Sequence, residues 1–280
     1  MKIIEVETVK GDKLYGCLYG ENFKDVCVIV TNGTGGNIFE NKFLQIVGEV
    51  LESNGISFIY AHNSGAFQMI DTPSKDGKRK GVTFECFDEC LDDLQAYVDF
   101  AKNQGYKHII LGGHSYGANK VVFYLSQNQN EPIERYILIS PTDTSRLKES
   151  ERNSAEQFMP IAEKFDKENK LDEIIPILFD GYNFFTARAF FDFMQNKNAK
   201  NLPIYSKNKD FSQMRKIKQR GLFVMGENDS FAFGDAYEHL NVINTNSRRK
   251  DNVIEVIQKT GHTFSGKEFE LAQVILDFCR

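Results

Sequence analysis

No uninterrupted apolar run in the chain approaches the roughly 18 residues that a membrane-crossing helix needs, so no transmembrane span is expected. Positive charge is not in excess either. Lys and Arg number 34 against 39 Asp and Glu, a formal charge of -5. That balance gives no electrostatic footing for nucleic acid, and no nucleic-acid partner is expected. No CxxC pair occurs and the five cysteines are an odd number, which argues against both a disulfide framework and a zinc site. No metal or other cofactor is expected. The N-terminal Met1-Lys2-Ile3-Ile4-Glu5-Val6 mixes charge into its apolar positions too early for a signal peptide, so a cytoplasmic location is expected. Internal repeats and low-complexity tracts are absent as well.

What the chain does have is 280 residues, 41% of them hydrophobic and 26% charged, enough for one large core with a modest insertion. Lys2 to Thr8 and Lys13 to Tyr19 alternate apolar and polar residues around Gly11-Asp12, the pattern of an antiparallel hairpin. The later runs Val26 to Val30, Ile56 to Tyr60, His108 to Leu111, Tyr136 to Ile139, Leu222 to Met225 and Val253 to Ile257 are short and nearly continuous. Strands buried on both faces of a parallel sheet read this way. Between them lie helical stripes, most plainly Phe84, Phe87, Leu91, Leu94 and Val98. The implied fold is α/β: a mixed, mostly parallel doubly wound sheet flanked by helices. Alternation stops between strands in one place, so residues 1–140 and 221–280 are expected to form the core, with 141–220 a helical cap inserted into it. The run Lys75 to Lys80 reads as a solvated loop, and Cys86 with Cys90 as small residues on a buried stripe.

Directly after the strand ending at Leu111 comes Gly113-His114-Ser115-Tyr116-Gly117, and a helical segment follows. This is G-x-S-x-G in the strand–turn–helix setting that gives the motif meaning. The glycines let strand and helix approach closely enough to close a strained turn, and the serine hydroxyl projects at a helix N-terminus.

On these residues the chain resembles the α/β-hydrolase superfamily, over nearly its whole length except the cap. The resemblance implies a triad in the chain order serine, acid, histidine. Gly226-Glu227-Asn228-Asp229 follows a late strand and makes Asp229 the matching acid, with Asp143 and Glu227 as alternatives. Gly261-His262-Thr263 follows the last strand, and His262 occupies the place of the base. Of the other histidines, His108 and His114 read as packing or hydrogen-bonded residues, His239 as surface helix, and His62 as a satisfied loop residue or a pocket wall. The superfamily's oxyanion donors fall on the backbone N–H groups of Tyr116 and Thr34, although Asn32 stands where many members have histidine before the glycine. The loop Gly33-Thr34-Gly35-Gly36 lacks the G-x-G-x-x-G spacing and a Walker lysine, so nucleotide binding is disfavoured.

Within the cap, Phe179, Phe184, Phe185, Phe190, Phe191 and Phe193 are either packing or an aromatic wall for substrate, and Arg188 is placed to pair with Asp192. The expected activity is hydrolysis of a carboxylic ester, amide or thioester of a small-molecule acyl substrate through an acyl-enzyme. Two alternatives stay open. One is other triad chemistry, such as carbon–carbon bond hydrolysis or acyl transfer; the other is a catalytically silent ligand-binding relative.

Overall fold

The computed structural model describes residues 1–71, 77, 79–145, 152–178, 183–207 and 209–280, with 152–157 described by backbone alone. The alternating segments Lys2–Glu7 (β1) and Lys13–Tyr19 (β2) pair antiparallel, and Gly11 takes the positive φ of 84° that their turn requires. The continuous apolar runs become Val26–Thr31 (β3), Ser57–Ala61 (β4), His108–His114 (β5), Ile133–Ile139 (β6), Arg220–Gly226 (β7) and Val253–Ile257 (β8). All eight join one sheet in the order β1-β2-β4-β3-β5-β6-β7-β8. β2 meets β4 antiparallel, and every later pairing is parallel. The chain therefore has the mixed, mostly parallel α/β-hydrolase sheet that its sequence implies.

Helices cover both faces. Lys42–Ser53 (α1) packs with the C-terminal helix on one side, while Cys90–Asn103 (α2) and Tyr116–Gln127 (α3) cover the other. The segment between β6 and β7 supplies Arg152–Lys167 (α4), Ala187–Gln195 (α5) and Ser212–Lys216 (α6). Ala236–Asn246 (α7) follows β7, and Glu268–Cys279 (α8) follows β8. Because side chains alternate across a strand, β3 sends Cys27 and Ile29 into the core beside α2 and α3, and Val28 and Val30 into the core beside α1 and α8. Two-sided burial explains why this strand has no polar interruptions. Among the described residues no helix is long and apolar enough to cross a membrane.

Four expectations from the sequence need correcting. The stripe from Phe84 to Val98 is not one helix: a single 3₁₀ turn, Phe87–Glu89, precedes α2. Carboxylates hold that entrance, with Glu89 accepting the Cys86 N–H at 3.1 Å and Asp192 accepting the Phe87 N–H at 2.7 Å. In the charged run, Lys75, Asp76 and Lys78 lie outside the described residues, but Lys80 is buried and paired with Asp12 (2.8 Å) and Glu89 (3.3 Å). His239 is not on the surface. It is fully buried on α7, hydrogen-bonded through Nε2 to the Pro141 carbonyl at 2.9 Å, because α7 turns this face toward the end of β6. Arg188 pairs with Asp172 at 2.7 Å instead of Asp192, whose carboxylate is engaged by Phe87 and Asn196.

The segment between β6 and β7 packs unevenly. Leu202, Ile204, Phe211, Met214 and Ile217 belong to the core beside α2 and α3. Ile175, Ile177, Phe185, Ala187 and Phe190 form a separate apolar cluster with Ala162 of α4 and Val82. Beneath that cluster, Lys120 of α3 has a wholly buried ammonium paired with Glu85 and 5.4 Å from the Tyr116 ring. Burial pushes the Glu85 carboxyl up, against the pull of Lys120. Removing one partner would strand the other charge in a dry site, whereas replacing both removes the problem. Glu85→Ala is expected to lose about 3–5 kcal/mol of unfolding free energy. The double variant Glu85→Leu/Lys120→Met should recover most of that loss, as read by urea denaturation of all three proteins.

Candidate active site

β5 runs directly into α3, and Ser115 sits at the junction with φ 57° and ψ -128°, a left-handed conformation that non-glycine residues seldom adopt. Close packing on all sides holds it there. A Cβ on Gly113 would meet the Gly117 carbonyl oxygen at 2.2 Å, and one on Gly117 would meet the Asn32 carbonyl oxygen at 2.6 Å. The Ser115 N–H donates to the Ile139 carbonyl at 2.9 Å, tying the turn to β6. Tyr116 is the first residue of α3, and first-turn N–H groups have no partner within their own helix.

Gly33 presses against this turn from the end of β3: a Cβ there would lie 2.8 Å from the Ser115 Cβ and 3.1 Å from the Tyr116 N. Thr34 follows at the surface of the same cavity. At the end of β7, Asp229 is buried, and His262 Nδ1 lies 3.1 Å from its Oδ1 and 3.0 Å from its Oδ2. That bond places the ring proton on Nδ1 and leaves Nε2 as the acceptor. Burial acts to raise the Asp229 carboxyl. Hydrogen bonds from His262, the Phe231 N–H and the Ser140 hydroxyl outweigh it and hold the group below the usual carboxylate range. The two rival acids have other partners. Asp143 accepts the N–H groups of Ser145 (2.9 Å) and Tyr205 (2.7 Å), and Glu227 accepts that of Lys259 (2.9 Å).

A cavity of about 530 Å³ brings Ser115, His262, Thr34 and Tyr116 together. Its walls add Thr142, Thr144, Asn183, Phe185, Phe193 and Phe231. Phe185 and Phe193 stack with ring centres 5.6 Å apart, whereas Phe190 is buried behind them and Phe184 is exposed. Phe179 lies outside the described residues. His62 walls a separate apolar cavity, its Nε2 accepting the Ile38 N–H at 2.9 Å. Among the described residues no group of three metal-binding side chains is present.

Sequence reasoning passed over two residues that contact the acid–histidine pair, Phe231 and Ser140, and read a third, His114, only as a packing or hydrogen-bonded residue. Phe231 packs its ring 4.4 Å from that of His262, and its place two residues after Asp229 was the available signal. Ser140 is held at a φ of 47° beside Asp229. His114 lies 4.7 Å from the His262 ring, and its Nε2 is 3.0 Å from the His262 carbonyl. Burial pushes the His114 imidazole down to about 3, so it is neutral at pH 7 and donates Nε2–H to that carbonyl.

The family described as "Protein of unknown function (DUF1749)" matches residues 19–276. No curated protein matches the chain by sequence. Solved structures do match. The ferulic-acid-bound Est1E from Butyrivibrio proteoclasticus has 18% identity and a TM-score of 0.67, with 98% of this chain and 97% of that one covered. The α/β hydrolase GrgF from Penicillium sp. sh18 has 14% identity and a TM-score of 0.73, covering 99% and 97%. A thermophilic esterase from Thermogutta terrifontis has 16% identity and a TM-score of 0.61, covering 99% and 98%.

The buried His114 has a measurable consequence. An unfolded histidine takes up a proton below about pH 6.5, while the folded ring resists until about pH 3, so stability falls as pH drops through that window. One such group contributes a slope of up to about 1.4 kcal/mol per pH unit. His114→Gln should therefore show a plot of unfolding free energy against pH, from pH 4 to 6, that is shallower than the wild type by about that amount.

Proposed function

The chain belongs to the DUF1749 family, and from that premise we propose that it is a serine hydrolase cleaving a carboxylic ester of a small molecule. The observation that carries this reading is a serine strained at a strand–helix turn, sharing one cavity with a histidine whose Nδ1 is 3.0 Å from a buried carboxylate. The thermophilic esterase from Thermogutta terrifontis among its structural relatives supports the ester over other bonds.

In this reading His262 Nε2 takes the proton from Ser115 Oγ as Oγ attacks the substrate carbonyl carbon. The carbonyl π electrons move to oxygen, and the resulting oxyanion accepts from the Thr34 and Tyr116 N–H groups. Collapse breaks the carbon–oxygen bond to the alcohol, which leaves with the proton from His262. Water then repeats the attack on the acyl-enzyme, its proton passing through His262 back to Ser115 Oγ. Asp229 keeps the imidazole in the required tautomer and stabilises the imidazolium that forms in each half.

The apolar cluster around α4 and α5 acts as the cap, and the stacked Phe185 and Phe193 form its acyl-facing wall. No metal or cofactor enters this scheme.

A fluorophosphonate probe is expected to label Ser115 alone. Labelling that persists in Ser115→Ala would remove the assignment. Asp229→Asn should lower kcat by about 10⁴ with the fold unchanged, as checked by steady-state kinetics and circular dichroism. A panel of esters differing in acyl length should separate the roles of cap and core. Phe185→Ala and Phe193→Ala are expected to shift relative kcat/KM between short and long acyl groups by about 10-fold or more, since one or two methylenes in an apolar pocket are worth about 1–3 kcal/mol. Their rates of phosphonate labelling should stay close to wild type. A uniform loss of labelling together with loss of fold would make these rings structural.

A further inference from the structure

β3 and β4 are parallel neighbours, so the loops leaving their C-terminal ends lie side by side. The first is Asn32-Gly33-Thr34-Gly35 and the second runs from His62 to Phe67. Two buried asparagines, Asn32 at 0% and Asn63 at 3% exposure, lock them together. Asn63 Nδ2 donates to Thr31 Oγ1 (2.9 Å) and to the Asn32 carbonyl (2.8 Å), and the Asn63 N–H donates to Asn32 Oδ1 (3.1 Å). With Oδ1 fixed by that donor, Asn32 Nδ2 is turned to the Gly33 carbonyl oxygen at 2.8 Å. A flipped Asn32 amide would oppose donor to donor and acceptor to acceptor, so only one orientation is tolerated.

The Gly33 carbonyl and the Thr34 N–H belong to one peptide unit. In a trans peptide these two groups point in opposite directions within one plane. Holding the carbonyl on Asn32 therefore aims the N–H of Thr34 away from Asn32, and Gly33 itself abuts the turn at Ser115, where a Cβ would lie 2.8 Å from the Ser115 Cβ and 3.1 Å from the Tyr116 N. The second loop is itself anchored. Ser64 donates its N–H (2.7 Å) and hydroxyl (2.9 Å) to the buried Asp93 of α2, Gly65 N–H donates to Asn63 Oδ1 (2.9 Å), and Gly35 exchanges backbone bonds with Gly65 (3.1 Å) and Phe67 (3.0 Å).

We infer that Asn32 and Asn63 are positioning residues for an oxyanion hole: Asn32 orients the Gly33–Thr34 peptide, and Asn63 orients Asn32. This rests on the hydrolase reading for what the Thr34 N–H does, but the orientation itself stands on the hydrogen bonds above. The device carries no charge. Asn32 does through its amide what a fixed donor must do at this point, inside a site where an unpaired charge would be costly.

Asn32→Asp keeps the shape and the Oδ1 acceptor but replaces the donor to Gly33 with an oxygen. It is expected to lower kcat and the phosphonate labelling rate by about 100-fold, the loss seen when one oxyanion donor is removed, while KM changes less than about twofold. Affinity for a boronic acid, whose tetrahedral adduct places an oxygen in the hole, should fall in parallel, with binding of the product carboxylic acid unchanged. Asn63→Ala leaves residue 32 intact and is expected to lose about 10-fold in kcat, so it carries the test should Asn32→Asp not fold. Backbone amide exchange, read by mass spectrometry, should quicken about 10-fold over residues 32–37 of Asn63→Ala and remain unchanged in β5 and β6. Unchanged exchange in that segment would overturn the positioning role whether or not any ester is turned over. So would a kcat and boronic-acid affinity within about twofold of wild type in both variants. A wild-type chain that neither turns over esters nor takes the probe would count against the hydrolase reading alone, since exchange still decides the orientation.

Discussion

The close approach of three backbones around Ser115 is the constraint on which the site depends. β5, α3 and the loop after β3 meet so tightly that Gly33, Gly113 and Gly117 each have another chain segment where a Cβ would stand. Contact at that distance fixes the φ of 57° at Ser115, because the turn cannot relax without pushing into the loop on one side or β6 on the other. The sheet supplies the rigidity. With both faces of β3, β5 and β6 buried under helices, the strand ends are poor places for strain to dissipate.

Around that point, neutral groups do most of the positioning. His114 is held uncharged by burial and donates to the backbone of His262, and His239 fixes Pro141 at the end of β6. The asparagine pairs work similarly. Asn119, one turn into α3, exchanges hydrogen bonds with Thr142 and Asn201, which ties the nucleophile helix to the start and the later part of the segment between β6 and β7. Neutral donors and acceptors suit this region because a buried amide network costs far less in desolvation than ions. The buried ammonium groups are ion-paired, Lys120 with Glu85 and Lys80 with Asp12 and Glu89, while the buried carboxyls of Asp93 and Asp143 accept from N–H and hydroxyl groups.

The segment between β6 and β7 divides by what it touches. Its later part, from Leu202 to Ile217, lies in the main core and is latched through Asn201 to α3 and to Gln213 of α6. Among the described residues, Ile175 to Met194 form an apolar cluster of their own with Val82, joined to the segment before α2 by the Thr186 N–H donating to the Thr83 carbonyl and Asp192 accepting the Phe87 N–H, and Phe185 and Phe193 reach the cavity from there.

Local order along the chain settled much of this protein. Periodicity marked every strand of the sheet, by alternation in β1 and β2 and by unbroken apolar runs in the strands between helix layers, and G-x-S-x-G between a strand and a helix marked the turn at Ser115 because its geometry needs only neighbours in sequence. The order of Ser115, Asp229 and His262 was legible only through resemblance to a family, as nothing local says that residues 33 apart will share a hydrogen bond. Tertiary structure alone decided the rest. Whether a polar side chain faces water or a buried partner depends on which segment lies opposite, and that put His239 and Lys80 inside and turned Arg188 from Asp192 to Asp172. The same dependence hid the Asn32–Asn63 lock and the contacts of His114, Ser140 and Phe231 with the acid–histidine pair, because each pairs strand ends that the sequence separates and only the sheet brings together.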